Sequence, residues 1–211
     1  MNLFRVLRRI ARGQTLLRVM MNESFGNFTL KGKVVDVGGG RSPDYFDYFK
    51  KENMSSIEAV DGSISGIDFE TDRLPYGDGS VDTVLCANVL EHVYDYKHLT
   101  SEIHRILKPG GLLIGFVPFL INYHPDPHDY FRYTSEALGK MLEAAGFVDA
   151  KIETVGRGPF AVNYNNIVLS VPVFLRLLIF PIYSVLDSVF LKLRPEAKKR
   201  YPLGYVFGAG K

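Results

Sequence analysis

Histidines, acids and an arginine crowd the segment HPDPHDYFRYT, residues 124–134, where they could move a proton and bind a polar group. An imidazole titrates near neutral pH and can therefore act as a general base. We predict that His128 is this base, oriented by Asp126 or Asp129, and that Arg132 holds an acidic or phosphorylated acceptor. The alternative is a lid in which Arg132 pairs with Asp129 and the tyrosines pack.

Further candidate site residues lie in residues 124–134, and one more, His92, lies after the apolar run VDTVLC. His124, Asp129, Tyr130 and Tyr133 are predicted to contact the acceptor. His92 is predicted to be catalytic. A histidine that only begins a helix is the alternative for His92.

A divalent ion is a further alternative for the histidine-rich segment. The side chains at positions 124, 126, 128 and 129 are two histidines and two aspartates, which metals accept as ligands. Their spacing matches no standard zinc signature. We therefore predict no metal.

A glycine turn in KVVDVGGGRSPDYF, residues 33–46, is the second chemical feature. An apolar run ends at Asp36, and glycines occupy positions 38–40, where a backbone without side chains can approach a ligand. A pyrophosphate-binding turn would have a further glycine where Pro43 stands, and Asp36 would repel a pyrophosphate. The turn therefore favours a ligand with a cationic group and no phosphate.

An acid also ends the next apolar run. Asp61 follows SSIEAV, and a carboxylate at the end of a second strand can accept both hydroxyls of a ribose. Together with Gly62, it predicts a nucleoside site.

The elements that position these groups follow from an alternation of strand and helix patterns, which predicts an α/β fold with a doubly wound, mostly parallel sheet. The carboxyl ends of its strands would form the ligand-binding edge. The predicted strands are KVVDV, SSIEAV, VDTVLC, LLIGFV, VDAKIETV and GYVFGA, and the predicted helices are PDYFDYFKK, YKHLTSEIHRIL and TSEALGKMLEAAGF.

A chain of 211 residues has room for one substantial core with attachments. We predict a basic amphipathic helix over residues 1–30, the α/β core over 31–155, an apolar helical insertion over 156–200 and a last strand over 201–211. The single cysteine, Cys86, lies in an apolar run, which indicates a buried residue and a reducing, cytoplasmic compartment.

Charge is segregated along the chain although the net charge is only +2. Residues 1–33 carry seven Lys and Arg against Glu23 alone, and residues 192–211 carry six against Glu196, so the centre is acidic. An acidic centre argues against nucleic acid at the main site. The basic ends point to anionic phospholipid headgroups.

The apolar segment 167–193 contains two prolines, an arginine and an aspartate. A membrane-spanning helix needs about 20 uninterrupted apolar residues. We therefore predict short interfacial helices at the inner face of the membrane, or a helical pair packed on a second copy in a homodimer. For the N-terminal helix, packing on the domain with a solvated basic face is the alternative to membrane contact.

VVDVGGG resembles motif I of the class I S-adenosylmethionine-dependent methyltransferases, with Ser42 at the position of the last glycine. Residues 68–111, from DFETDRLPYGDGS to LKPGG, are similar almost throughout to a block of the small-molecule subfamily that includes the quinone-biosynthesis enzymes. The resemblance covers about residues 33–155 and the last strand. It implies a seven-stranded sheet and S-adenosylmethionine as the cofactor.

The resemblance also implies roles for individual residues. The cofactor would contact the acid and glycines of the turn, the adenine would lie beside Asp68 and Phe69, and the end of the strand VDTVLC would line the methionine part; these residues are Asp36, Gly38, Gly39, Gly40, Asp68, Phe69, Cys86, Ala87 and Asn88.

HPDPHDYFRYT resembles a segment of methyltransferase-like proteins from bacterial surface-polysaccharide and glycan clusters. We therefore expect methyl transfer to a small or lipid-linked acceptor, a sugar or glycan hydroxyl, near the membrane surface. Methylation of a quinone or another isoprenoid is one alternative. A catalytically idle module that docks to a glycan-assembly complex is another. A nicotinamide-dependent oxidoreductase is disfavoured by Pro43 and by the long subfamily match.

Overall fold

The computed structural model describes residues 3–40 and 44–211. The predicted helix start at Pro43 and the glycine replacement at Ser42 lie outside these residues. The strands are β1 (Thr29–Val37), β2 (Lys50–Val60), β3 (Val81–Ala87), β4 (Leu107–Pro118), β5 (Val148–Gly156) and β6 (Pro202–Gly210). The helices are α1 (Leu3–Ala11), α2 (Leu16–Phe25), α3 (Gly62–Ser65), α4 (Tyr96–Ile106), α5 (Ser135–Ala144), α6 (Pro159–Ile167) and α7 (Val173–Leu193).

The strands form one sheet in the order β2-β1-β3-β4-β6-β5, and β1 runs parallel to both β2 and β3. Strand order therefore reverses between β1 and β3, which is where open α/β sheets bind ligands. The register pairs Val37 with Val60 on one side and with Cys86 on the other. It thereby brings the glycine turn, Asp61 and Asn88 to the same edge.

The predicted α/β fold with a helical insertion before the last strand is confirmed, but the strand count was wrong. The described residues form six strands instead of the seven that the resemblance implied. The segment between β2 and β3 has no apolar run long enough for a strand and forms α3 and turns instead. The sheet consequently ends at β2.

The predicted helix PDYFDYFKK is also replaced. Asp44–Tyr48 form a 3-10 turn, and β2 already begins at Lys50, which pairs with Thr29. Tyr45 and Phe49 are buried, and Phe49 stacks on Phe25 at 4.7 Å between ring centroids. Their spacing of four residues is typical of one face of a helix. Here both side chains are buried although the backbone forms only a short 3-10 turn.

The chain divides into two compact units. The sheet unit consists of residues 25–118, 123–153 and 205–211, and the helical unit of residues 1–24, 119–122 and 154–204. The helical unit has its own apolar core, with fully buried Val6, Ile10 and Tyr164.

The single N-terminal helix predicted for residues 1–30 is in fact two helices followed by the first residues of β1. Gly13 between them adopts a positive φ of 88°, which glycine accepts more readily than other residues. Val6 and Ile10 pack into the helical unit. Leu3 and Phe4 remain exposed.

Helix α7 spans 21 residues with Pro181 inside it, so the predicted short helices do not form. By length and composition alone, α7 could cross a membrane. Its most apolar 18-residue stretch has a mean hydropathy of 1.8, and 11% of that stretch is buried. One side of it packs within the helical unit, where Phe180 and Asp187 are buried. The charged residue in this apolar helix therefore has a protein partner, which is described below.

Candidate active site

An open cavity of about 630 Å³ lies at the carboxyl ends of β1, β2 and β3. This size suits a small ligand with its cofactor. The cavity is lined by Gly38, Asp61, Gly62, Ile67, Asp68, Phe69, Glu70, Asn88, Val89, His92, Val93, Asp126, Pro127 and His128.

The glycine turn packs tightly against its own neighbours in the sheet unit. Gly38 has a φ of 77°, donates its N–H to the Val60 carbonyl at 2.7 Å, and has no room for a Cβ beside Val89. A Cβ on Gly39 would overlap the carboxylate of Asp36. The turn therefore requires glycine at both positions.

Asp36 lies beneath this turn and is fully buried. Its Oδ2 accepts a hydrogen bond from the Tyr45 hydroxyl at 2.6 Å. The lining of the cavity does not include Asp36, Gly39 or Gly40. Asp36 thus supports the turn from below.

Most of the predicted cofactor residues line the cavity, namely Gly38, Asp61, Gly62, Asp68, Phe69 and Asn88. Asp68 shapes its own turn, since its Oδ1 accepts the Glu70 N–H at 2.8 Å. Ala87 and Cys86 are buried in β3 and do not line the cavity, and burial raises the pKa of the Cys86 thiol.

The acceptor side is a loop held over the end of β3. The N–H groups of Tyr130 and Phe131 donate to the Glu91 carbonyl at 2.8 and 3.3 Å. His92 Nδ1 donates to the carbonyl of His128. These bonds bring His92, Asp126 and His128 into the cavity wall.

His128 is not oriented by an aspartate. Its ring is exposed, lies 5.3 Å from the ring of Tyr130, and makes no side-chain hydrogen bond within the described residues. Asp129 instead binds both terminal nitrogens of Arg132 and accepts the His124 N–H at 2.9 Å. Burial would raise the pKa of Asp129, but Arg132 and the His124 N–H lower it to about 2.

The structure thus shows the lid arrangement for Arg132. The tyrosines pack as that alternative requires: Tyr133 is buried and its hydroxyl donates to the Leu90 carbonyl at 3.1 Å, and Tyr130 contacts Tyr94 at 5.3 Å between ring centroids. Burial raises the pKa of Tyr133. None of Tyr130, Arg132 and Tyr133 is part of the cavity lining.

Glu91 is a site residue that the sequence analysis did not predict. It is fully buried, burial raises its pKa to about 8, and Oε1 lies 3.7 Å from His92 Nε2. The ring of His124 lies 5.0 Å from that of His92. The available signal was the sequence LEH directly after β3. Ile67, Glu70, Val89, Val93 and Pro127 also line the cavity without having been predicted.

Comparisons with known proteins show which family this chain resembles. The profile described as "Methyltransferase domain" matches residues 41–115. A probable S-adenosylmethionine-dependent methyltransferase from Mycolicibacterium smegmatis is 35% identical over 81 residues, which cover 36% of this chain and 32% of that protein. Residues 41–115 therefore match a methyltransferase domain, and the chain is similar to S-adenosylmethionine-dependent methyltransferases.

Further relatives extend the match beyond that domain. A demethylmenaquinone methyltransferase from Oceanobacillus iheyensis is 27% identical over 129 residues, 59% of this chain and 50% of that protein. The match thus spans 32% and 50% of the length of these two relatives. A solved methyltransferase from Archaeoglobus fulgidus shares the fold over 93% of both chains, with a TM-score of 0.55 and 18% identity.

The cavity of the methyltransferase domain fits S-adenosylmethionine, the predicted cofactor. The turn at Gly38 offers backbone without side chains, Asp61 offers a carboxylate at the end of β2, and Phe69 offers an aromatic face. A carboxylate at this place suits ribose hydroxyls, and an aromatic ring suits an adenine. These residues, with Asn88, would hold the cofactor.

Proposed function

We propose that this chain transfers a methyl group from S-adenosylmethionine to a hydroxyl of a small or lipid-linked acceptor, a sugar or glycan, at the inner face of the membrane. The observation that carries the proposal is that one cavity wall holds both the cofactor-side residues, Asp61 and Asn88, and two imidazoles, those of His92 and His128.

The imidazole of His128 supplies the base that a hydroxyl acceptor needs. When bound, S-adenosylmethionine supplies a methyl group whose bond to sulfur breaks, leaving its electrons on sulfur, as the acceptor oxygen bonds to the methyl carbon. His128 is exposed in the cavity and takes the acceptor proton. The loop that carries it, bonded to the Glu91 carbonyl, excludes water and fixes the acceptor.

A quinone acceptor is the second candidate, because the similar protein from Oceanobacillus iheyensis is a demethylmenaquinone methyltransferase. The acceptor end of the cavity favours the hydroxylated candidate. His92, Asp126 and His128 present polar groups there, and a sugar with several hydroxyls can pair with more of them than a quinone ring with two oxygens.

Membrane contact is supported by the helical unit. Its ranges carry twelve Lys and Arg against three acids, Glu23, Asp187 and Glu196, whereas the sheet unit carries thirteen against twenty. A strongly basic unit is attracted to anionic lipid, at about 1 kcal/mol for each basic residue near the surface.

The same unit exposes an apolar stripe along α7. The exposed stripe consists of Phe174, Leu178, Ile182, Val185, Val189 and Leu193, each between 54 and 77% exposed. Their spacing of three or four residues places them on one face of the helix. Exposed Lys192, Arg194 and Lys198 stand near its end. Apolar and basic groups together fit an anionic bilayer better than a neutral protein surface.

Methyl transfer is tested with S-adenosylmethionine labelled in its methyl group. Nucleotide sugars, lipid-linked glycans and a demethylated quinone are offered as acceptors. Label should enter a hydroxylated acceptor, and His128→Ala should lower kcat by about 10²- to 10⁴-fold with unchanged cofactor affinity, because only the base is lost.

Tyr123→Ala is the control, since Tyr123 is an exposed aromatic residue of the same loop outside the cavity lining. It should retain kcat. Label on the quinone alone would establish the second candidate. Equal losses in both variants would contradict the role of His128.

A further inference from the structure

A cluster of three potential metal ligands lies beside the cavity, in the sheet unit. Glu91, His92 and His124 each offer one ligand atom, and these atoms lie within 4.8 Å of one another. Glu91 is fully buried, and His92 lines the cavity. This set differs from the four residues whose sequence spacing was considered above.

The carboxylate of Glu91 lacks the partners that a buried carboxylate needs. Within the described part of the chain, neither Oε1 nor Oε2 accepts a hydrogen bond. The ionised form of such a group is costly without a hydrogen-bond donor, and proteins remove this cost by keeping the group protonated or by giving it a partner or a metal ion.

His92 is held in the form that binds metals. A carbonyl oxygen only accepts, so the bond to the His128 carbonyl places the imidazole proton on Nδ1 and leaves a lone pair on Nε2. That nitrogen lies 3.7 Å from Glu91 Oε1. When Glu91 is ionised, two electron-rich atoms therefore face each other across a gap that a cation would fill.

His124 has the same kind of support. Asp129 Oδ2 lies 3.5 Å from His124 Nδ1 and accepts its backbone N–H at 2.9 Å, while Arg132 fixes Asp129. Metal-binding histidines commonly bond through their other nitrogen to a carboxylate or a backbone carbonyl. Here His124 has the carboxylate and His92 has the carbonyl.

We propose that Glu91, His92 and His124 bind a divalent transition-metal ion, with zinc as its representative, at the acceptor side of the cavity. Two histidines and a glutamate leave one coordination position open, as in catalytic zinc sites. Ligand atoms around a tetrahedral ion lie about 3.4 Å apart. The site closes when the His124 side chain, which is 43% exposed, moves inward.

The open position gives the ion a role that rests on the proposed methyl transfer. An acceptor hydroxyl bound there would lose its proton more readily, because a divalent ion stabilises the negative oxygen. Metal binding itself does not depend on that role, so the two proposals fail separately.

The site is tested by calorimetric titration of the chelator-treated full chain with ZnCl₂, without cofactor or acceptor. We expect one ion per chain. Glu91→Gln and His124→Ala should each weaken binding by at least ~10-fold, since each removes a ligand. His128→Ala, in the same loop but outside the cluster, should leave binding unchanged.

Co²⁺ in place of zinc gives a spectroscopic readout that folding alone does not produce. Its visible absorption should appear in the wild type and in His128→Ala, and disappear in His124→Ala, where thermal melting verifies the fold. Absence of binding to the wild type would overturn the proposal. So would equal affinity in all variants, or a loss in His128→Ala as large as that in His124→Ala.

Discussion

Glu102 and Arg105 fix the segment that leads from the cavity to β3. Arg105 donates to Glu102 Oε2 at 2.7 Å and to the carbonyls of Leu74 and Tyr76 at 3.1 and 2.9 Å. Glu102 in turn accepts the Leu74 N–H at 2.9 Å. This pair gives a structural reason for the presence of Glu102 and Arg105 in residues 68–111, the block that resembles methyltransferases.

Replacing Glu102 with glutamine should make the free energy of unfolding depend less on pH in the acid range. Hydrogen bonding to Arg105 lowers the pKa of Glu102 below its ordinary value. Its carboxylate therefore stabilises the fold above the unfolded pKa of about 4.3, and this contribution is lost as the pH falls through the lower folded pKa.

At pH 7, Glu102→Gln should cost about 1–3 kcal/mol in urea unfolding, and the difference should shrink towards pH 3. Glu143→Gln, on an exposed face of α5, is the control and should match the wild type throughout. A deficit that persists undiminished at pH 3 would show that packing, and not charge, is the cause.

Single residues were predictable where the sheet register alone positions them. Asp61 and Asn88 follow strands that pair with β1, so their shared edge was foreseeable. Glu91 was not, because its surroundings depend on a loop some 40 residues later that bonds to its carbonyl through Tyr130. The pairing of Asp129 with Arg132 was foreseen only as an alternative.

At the level of elements, Asp187 connects α7 to α6. Its carboxylate accepts the N–H groups of Gly158, Phe160 and Ala161 at 3.1, 3.0 and 2.9 Å. These are free donors at the first turn of α6, which Gly158 itself cannot cap with a side chain. An acid from a distant helix thus replaces a local cap.

Asp187→Asn should destabilise the helical unit by about 1–3 kcal/mol. The amide of asparagine has only one acceptor oxygen and no negative charge, so it cannot accept all three N–H groups as the carboxylate does. Urea unfolding followed by circular dichroism measures this. Glu196→Gln, an exposed acid of the same unit, should change stability by less than ~0.5 kcal/mol. Equal effects of the two substitutions would rule out the capping role.

Elements were predicted best where the apolar period is clear. The six strand patterns are confirmed, and the predicted helix TSEALGKMLEAAGF begins at an N-cap, Thr134, whose hydroxyl accepts the Ala137 N–H at 3.2 Å. Pro181 was expected to interrupt a helix, but α7 continues because Phe180 and its neighbours pack into the helical unit. Tertiary packing therefore outweighed the tendency of proline to end a helix, and the periodicity of the sequence gives no information on such packing.

At the scale of the whole molecule, most of the basic residues near the two ends of the chain belong to one compact unit, the helical unit. The sequence indicated two separate attachments, residues 1–30 and 156–200, and their shared charge was the only sign that they join. Contacts such as the bond from the Leu17 N–H to Asn165 Oδ1 at 2.8 Å link residues far apart in the chain. A linear pattern does not reveal such pairs.

If the exposed stripe contacts the membrane, substitutions of two equally exposed valines should affect vesicle binding differently. Val189, in the exposed stripe, and Val148, in the sheet unit, are each 54% exposed. The wild type should sediment with phosphatidylglycerol vesicles, less at high salt, and hardly with phosphatidylcholine vesicles.

Val189→Glu should weaken this sedimentation several-fold, since it places a charge against the bilayer, and Val148→Glu should not. If neither wild type nor variants sediment, and the wild type instead dimerises through the stripe, the exposed face belongs to a homodimer and the membrane proposal is wrong. Sedimentation that both variants lose equally would also contradict it.

The most direct test of the account is calorimetric titration of the purified chain with S-adenosylmethionine and with its demethylated product, with NADH as the control ligand. We predict one site with micromolar affinity for the first two ligands and none for NADH. Asp61→Ala should abolish the binding. An absence of binding to both ligands, or comparable binding of NADH, would contradict the assignment of this cavity to S-adenosylmethionine.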